Sequence, residues 1–268
     1  MSTALQEFYG FRTQPFNITT DTELFFESRS HVEALASLVY GIHARKGLML
    51  ITGEVGTGKT TLCKSLLERL PKAVRTSLIL NPYFNDMELL QAIVEDFGFS
   101  GRHKSRLEIV KKLDSFLIKA SLMGDNAVLL IDEAQNLESR QLEQIRLLSN
   151  LETKHGKLLQ IVLLGQPELN EKLKRYELRQ IYQRIAVKYD LQPLDFEDVK
   201  AYVDFRLLRS GVSDLVILPE SYQRIYDFSK GIPRLVNLLC DRVMLLGFVR
   251  KQKVLSPDFF DTAMEEIR

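Results

Sequence analysis

Of the 268 residues only two are cysteine, the charges nearly cancel at +1, and no apolar run is long enough to cross a membrane. Cys63 and Cys240 stand far apart without metal-ligand spacing, which excludes a disulfide framework and a cysteine-built metal site. Both fall in apolar helical patterns and read as buried thiols of a reducing compartment. Without an excess of either sign there is no global field to draw in nucleic acid or an acidic membrane, so recruitment would need a local patch. Met1 is followed by polar and acidic residues rather than a basic stretch and an apolar one, so no signal peptide is visible. The apolar stretch 235–249 is broken by Asp241 and Arg242. No repeat or low-complexity tract appears. What is left is a chain expected to be soluble and cytoplasmic, with one large or two smaller domains. Its 45% hydrophobic residues are enough for a sizeable core.

Strand and helix patterns alternate over the first 193 residues. Helices are predicted at 30–45, 60–70, 87–98, 106–124 and 138–154, and strands at 47–52, 74–80, 127–132, 158–165 and 186–194. Short, continuously apolar strands between helices imply a parallel sheet covered on both faces. After Pro193 the strands stop, and 195–211, 219–231, 233–249 and 256–267 read as an all-helical tail. The division is therefore placed at 1–193 and 194–268.

GEVGTGKT (53–60) directly follows one strand and opens a helix, the context a phosphate-binding loop requires. Chance would give this spacing in roughly one chain of this length in a hundred, and the flanking strand and helix make chance rarer still. The backbone of Gly53, Glu54, Val55, Gly56, Thr57, Gly58, Lys59, Thr60 and Thr61 would wrap the phosphates with inward N–H groups at a helix start. Lys59 would reach the β- and γ-phosphates of ATP, and the Thr60 hydroxyl would ligate Mg²⁺. AVLLIDEAQ (127–135) brings Asp132 to the sheet's C-terminal edge as the second Mg²⁺ ligand. Glu133 beside it would orient and deprotonate the attacking water. Gln166, after the strand 158–164, reads either as a sensor of the γ-phosphate or as a turn residue ahead of Pro167. Arg179 and Arg184, just before the last strand, read either as an arginine finger reaching a neighbouring subunit or as surface residues.

GIPRLVNLLCDR (231–242) puts an arginine where a cation does not belong. Pro233 suits a helix's first turn, so Arg234 stands at the positive end of the dipole, unfavourable by about 0.3–1 kcal/mol. Either it is merely solvated, or an anion is held at that helix start.

The two Walker motifs, a polar residue after the next strand, arginines before the fifth strand and a helical tail with G-x-P-R resemble an AAA+ ATPase. The resemblance implies a five-stranded parallel P-loop sheet flanked by helices and followed by a small helical lid. It also implies that Arg234 is the sensor 2 arginine reaching the γ-phosphate. YGFRTQPF (9–16), TGEVGTGKTTLCKSLL (52–67), LLIDEAQNL (129–137), LLGQPEL (163–169), LRQIYQRI (178–185) and GIPRLVNLLCD (231–241) are similar to the ATPase domain of the general secretion pathway protein A (ExeA/GspA) family. A shorter relative, the MSHA pilus biogenesis protein MshM, is also similar. This family would make the chain an ATP hydrolase that forms homo-oligomeric rings or spirals and drives assembly of a type II secretion or pilus complex in the envelope. It would reach the inner membrane through a partner or a further C-terminal region. Pro15 and Phe16 would line the adenine pocket, unless Phe16 is simply core. Transposition regulators of the TniB/TnsC kind share related motifs and assemble on DNA. For that reading the local basic candidates are Arg102, His103, Lys104, Arg106, Lys172, Lys174 and Arg175. An ATP-gated scaffold with little hydrolysis is the third alternative.

Overall fold

The computed structural model describes residues 2–17, 22–101, 105–154, 156–212 and 215–267. In chain order the elements begin with α1 (Ser2–Tyr9), α2 (Arg29–His43), β1 (Leu48–Gly53), α3 (Lys59–Arg69), β2 (Val74–Ile79), α4 (Asp86–Asp96), α5 (Arg106–Leu122) and β3 (Asn126–Ile131). They continue with α6 (Ser139–Leu148), β4 (Glu152–Thr153), β5 (Gly156–Lys157), β6 (Leu159–Gly165), α7 (Pro167–Leu173), α8 (Arg179–Tyr182) and β7 (Ile185–Leu191). The last are α9 (Phe196–Arg209), β8 (Val216–Ile217), α10 (Ser221–Ser229), α11 (Pro233–Val249), β9 (Val254–Leu255) and α12 (Pro257–Ile267). The chain divides into two compact units. One holds 29–53 and 62–191; the other holds 1–28, 54–61 and 192–268.

The first unit is built on a five-stranded sheet in the order β2-β3-β6-β1-β7, with every pairing parallel. Position in the sheet follows the sequence pattern. LMLITG of β1 and LQIVLLG of β6 are buried throughout, and NAVLLI of β3 is buried from its second residue on, as central strands covered on both faces must be. β2 and β7 carry exposed and partly exposed residues along their length and lie at the two edges. Leu48, Leu50, Leu129, Ile131, Ile161 and Leu163 of the sheet share one apolar core with Leu89 and Ile93 of α4, Leu113 and Leu117 of α5, and Leu142 and Ile145 of α6. Each such side chain, fully buried, is worth about 1.5–3 kcal/mol. Register brings Thr52 opposite Gly165 and Ile131 opposite Leu163, so Asp132, Glu133 and Gln166 leave the sheet at the same edge.

The helix expected over 138–154 ends at Leu148. Ser149 caps it by donating its hydroxyl to the Arg146 carbonyl (2.7 Å), and β4 and β5 form a short antiparallel hairpin after it. Leu151 serves that hairpin instead, its carbonyl accepting from Leu158 N–H at 2.9 Å. Pro167 opens α7 at the first helical position, where a missing N–H costs nothing.

The second unit packs α1 and the aromatic residues Tyr9, Phe11 and Phe16 against α9, α10, α11 and α12. The Tyr9 hydroxyl donates to the Met244 carbonyl at 2.9 Å, and burial pushes its pKa up to about 12. Arg206 is buried but paired: Nε donates to the Pro15 carbonyl (2.5 Å), one amino group to the Asn17 carbonyl (3.2 Å) and the other to the Tyr202 hydroxyl (2.8 Å). Phe16 is a core residue, 1% exposed. The tail expected to be wholly helical also contains a parallel pair, β8 with β9. Cys63 and Cys240 are both buried and free, and burial pushes both thiols well above their ordinary range. Among the described residues no helix is long and apolar enough to cross a membrane.

Candidate functional site

In the second unit the loop after β1 is shaped by Gly56 and Gly58, at φ +84° and +97°, left-handed values that glycine adopts without steric cost. The Glu54 carbonyl is its hub. It accepts from Thr57 N–H (3.3 Å), the Thr57 hydroxyl (2.8 Å) and Lys59 Nζ (2.9 Å). Thr57 and Lys59 are buried, Gly56, Gly58, Thr60 and Thr61 are partly accessible, and Glu54 and Val55 are exposed. Lys59 begins α3, so the loop runs directly into a helix N-terminus.

Arg234 lies against this loop. Its backbone N–H donates to the Gly56 carbonyl at 3.3 Å, and a Cβ on Gly56 would stand 2.7 Å from Arg234 Cβ and 3.1 Å from Ile232 Cγ2. Gly56 is thus required twice, by its dihedral and by this approach. Arg234 is the second residue of α11, and its side chain is exposed. Among the described residues no hydrogen-bond or ion-pair partner is found for its guanidinium, although it sits at the positive end of the helix. Gly231, three residues earlier, is equally constrained: at φ +78° a Cβ would meet the Leu194 carbonyl oxygen at 1.9 Å.

In the first unit Gly53 closes β1 and Asp132 follows β3. Asp132 is 2% exposed, its N–H donates to the Ile79 carbonyl (2.8 Å), and its Oδ1 accepts Glu133 N–H (2.9 Å). Glu133 has φ +51° and ψ +36°, a left-handed backbone that costs a non-glycine residue about 1–2 kcal/mol. Its Oε2 accepts from Gln135 Nε2 at 2.5 Å and from Gln166 Nε2 at 3.4 Å. Glu133 and Gln166 are therefore brought together. Gln135, to which the sequence reading gave no role, lies between them; its amide two residues after Glu133 was the available signal. Lys172 of α7 donates to the carbonyls of Gln135 (3.1 Å) and Leu137 (2.5 Å), and burial holds it below the usual lysine range, with Arg175 adding to the effect.

Arg179 and Arg184 are exposed and do not converge on one spot. Arg179 lies 4.1 Å over the ring of exposed Tyr176, and Arg184 donates to Asn150 Oδ1. Of the basic candidates for DNA, Arg102, His103 and Lys104 lie outside the described residues. Arg106 begins α5 and is exposed, Lys174 pairs with Glu171 at 2.7 Å, and Arg175 is exposed.

The sequence comparisons agree with this architecture. The AAA domain family matches residues 42–173. General secretion pathway protein A of Aeromonas hydrophila is 42% identical over 261 residues, covering 97% of this chain and 48% of that protein. The chain belongs to the AAA+ proteins related to general secretion pathway protein A. It spans about half the length of that curated relative. In fold it is similar to the ORC2 protein of Aeropyrum pernix, with TM-score 0.73, 19% identity, and coverage of 96% of this chain and 72% of that one. Cdc6p of Pyrobaculum aerophilum gives TM-score 0.70, 17% identity, and coverage of 92% and 71%. At these identities the likeness carries the fold alone, a P-loop sheet with a helical C-terminal part.

Proposed function

We propose that the chain binds ATP with Mg²⁺ on residues 53–61 and hydrolyses it to drive assembly or remodelling of a type II secretion or pilus complex at the cytoplasmic side of the envelope. One observation carries the nucleotide reading. The glycine loop abuts the start of α11, and among the described residues the Arg234 guanidinium has no partner of its own there. An anion at that point would relieve the unfavourable charge at the helix end. The solved ORC2 structure of this fold contains ADPNP and ADP. The secretion-pathway reading rests on the 42% identical relative.

In this reading 1–193 is the nucleotide-binding domain and 194–268 the helical lid domain. The loop N–H groups and Lys59 hold the phosphates. The Thr60 hydroxyl and Asp132 carboxylate are hard oxygen donors of the kind Mg²⁺ takes, and the positive-φ glycines leave the backbone open to phosphate. Mg²⁺ supplies charge neutralisation on the phosphates. Glu133 takes a proton from water as the water oxygen bonds to the γ-phosphorus and the bond to the β–γ bridging oxygen breaks, releasing ADP and phosphate. Gln166 reads the γ-phosphate, and Arg234 binds it.

Paired titrations of Arg234→Ala with ADP and a non-hydrolysable ATP analogue test the assignment. ADP affinity is expected to stay nearly intact, while the analogue weakens by about ten- to a hundredfold, the loss of one charge-assisted hydrogen bond. Lysine is expected to substitute poorly, since it offers a point charge instead of a planar fork. Equal, unchanged affinities with normal ATPase would return Arg234 to the surface.

The same reading proposes an ATP-dependent homo-oligomer in which Arg179 or Arg184 acts on the neighbour's γ-phosphate. Mixing Lys59→Ala protein with Arg179→Ala or Arg184→Ala protein is expected to restore part of the ATPase rate, since some mixed interfaces join an intact loop to an intact arginine. Absence of rescue for both arginines, with the variants folded and co-assembling by particle mass, rejects a finger in trans.

A further inference from the structure

Gln135 uses both ends of its amide on the two residues assigned to the water and the γ-phosphate. Nε2 donates to Glu133 Oε2 at 2.5 Å, and Oε1 accepts the backbone N–H of Gln166 at 3.1 Å. The Gln166 side-chain amide reaches the same Glu133 Oε2 at 3.4 Å. Among the described residues Glu133 Oε1 takes no hydrogen bond, so the amides occupy one carboxylate oxygen and leave the other for a proton. The seat is made to measure. Gly165 approaches so closely that a Cβ there would stand 2.9 Å from Gln135 Oε1 and 2.6 Å from Leu169 Cδ2. Lys172 closes the arrangement from α7 by holding the carbonyl of Gln135, inside the short 3₁₀ turn Ala134–Asn136, and that of Leu137, just after it. The turn after β3 and the helix after β6 are thereby joined at two points.

We propose that Gln135 is a positioning residue that holds the Glu133 carboxylate and couples it to Gln166, with Lys172 fixing the turn that carries it. The inference rests on the reading of Glu133 as base. Glu133 sits on a left-handed backbone, and among the described residues the hydrogen bonds that hold its carboxylate come from these two amides. A displacement of Gln166 by nucleotide would be transmitted to Glu133 through one side chain, making the base responsive to occupancy of the sensor.

The test is kinetic and spectroscopic, on the whole chain. Gln135→Leu, which keeps a side chain of comparable volume but loses both bonds, is expected to lower kcat by about ten- to a hundredfold, the effect of a base misplaced by about an ångström. KM for ATP is expected to stay within about threefold, because Gln135 holds the base and not the phosphates. Gln135→Glu is expected to be no better, since it offers an acceptor to an acceptor, and Lys172→Met to act in the same direction more weakly. In the Glu133→Gln background Gln135→Leu is expected to cost nothing further in kcat; a residue with a merely structural role would subtract its loss again. Independently of turnover, the side-chain amide resonance of Gln135 is expected to move towards that of a solvated glutamine in Glu133→Ala. Unchanged kcat in Gln135→Leu, an additive loss in the double variant, or an amide resonance indifferent to Glu133→Ala overturns the inference. A parent chain that hydrolyses no ATP while the resonance responds overturns the hydrolysis reading and leaves the coupling standing.

Discussion

Lys59→Ala is expected to abolish nucleotide binding at ordinary working concentrations, and Glu133→Gln to keep binding while leaving only a small residual turnover. The two effects separate because the two side chains would meet different states of the reaction. Lys59 is 5% exposed and donates Nζ to the Glu54 carbonyl of its own loop at 2.9 Å, so its ammonium is already held where the loop closes. Contacts from a buried ammonium to the β- and γ-phosphates would be present in the ground state, and each would be worth about 1.5–3 kcal/mol. Their loss, together with that of a loop-closing bond, amounts to roughly a hundredfold or more in affinity. Glu133→Gln changes little else locally. A glutamine carbonyl can still accept from the Gln135 and Gln166 amides, so the turn is expected to hold. What it cannot do is take a proton from water, and loss of a general base lowers kcat by about 10²–10⁴-fold. Equilibrium titration with ATP and a steady-state phosphate assay on both variants check the pair. Turnover by Glu133→Gln at the parent rate would remove Glu133 as base, and parent-like binding by Lys59→Ala would remove the loop assignment.

Most of the sheet was legible because a strand buried on both faces must be apolar at every position. β1, β3 and β6 satisfy that with almost no polar interruption, and the edge position of β7 shows in its alternation. The loop at 53–61 was legible for a related reason: its glycines have a backbone meaning that spacing alone conveys. What stayed hidden depends on partners distant in sequence. α1 was not read as a helix, and its place is set by Tyr9, whose hydroxyl finds the Met244 carbonyl 235 positions away. Arg206 looked like any helical arginine, yet it is buried because Pro15 and Asn17 supply carbonyls to it. Gln135 and Lys172 are the same case at the candidate site. Neither residue type in its local context says that one will hold Glu133 and the other the carbonyls around that turn; Gln166, 31 positions from Gln135, and α7 decide it. Lys172 was read as a basic residue for DNA, and its ammonium instead donates to two backbone carbonyls. Arg234 lies between these extremes. Its oddity was visible in the sequence, but its place against the loop, with its backbone N–H on the Gly56 carbonyl, required the fold.

The glycine that precedes this arginine is expected to be among the least replaceable residues of the chain. Gly231→Ala should destabilise by about 3–5 kcal/mol and lower the melting temperature by on the order of 10 °C. Two costs add. The left-handed backbone at φ +78° is strained for alanine by about 1–2 kcal/mol. Beyond that, the new Cβ would stand 1.9 Å from the Leu194 carbonyl oxygen, 2.9 Å from its carbon and 3.0 Å from its nitrogen, all backbone atoms that cannot rotate aside. Nor can the two segments part freely, since Leu194 N–H donates to the Gly231 carbonyl at 2.9 Å. Gly10, in the same compact unit, isolates the first cost: its φ is +73° and nothing lies within 4 Å of an added Cβ. Gly10→Ala is therefore expected to cost only the backbone strain, about 1–2 kcal/mol. Because Ile232, Pro233 and Arg234 follow directly, a shift at Gly231 would also carry Arg234 away from Gly56, and Gly231→Ala should weaken ATP-analogue binding while Gly10→Ala does not. Thermal unfolding of the parent and both variants, followed by analogue titration below the lower transition, makes the comparison. Equal losses of stability in the two variants would mean that the close approach of Leu194 to Gly231 does not constrain the fold.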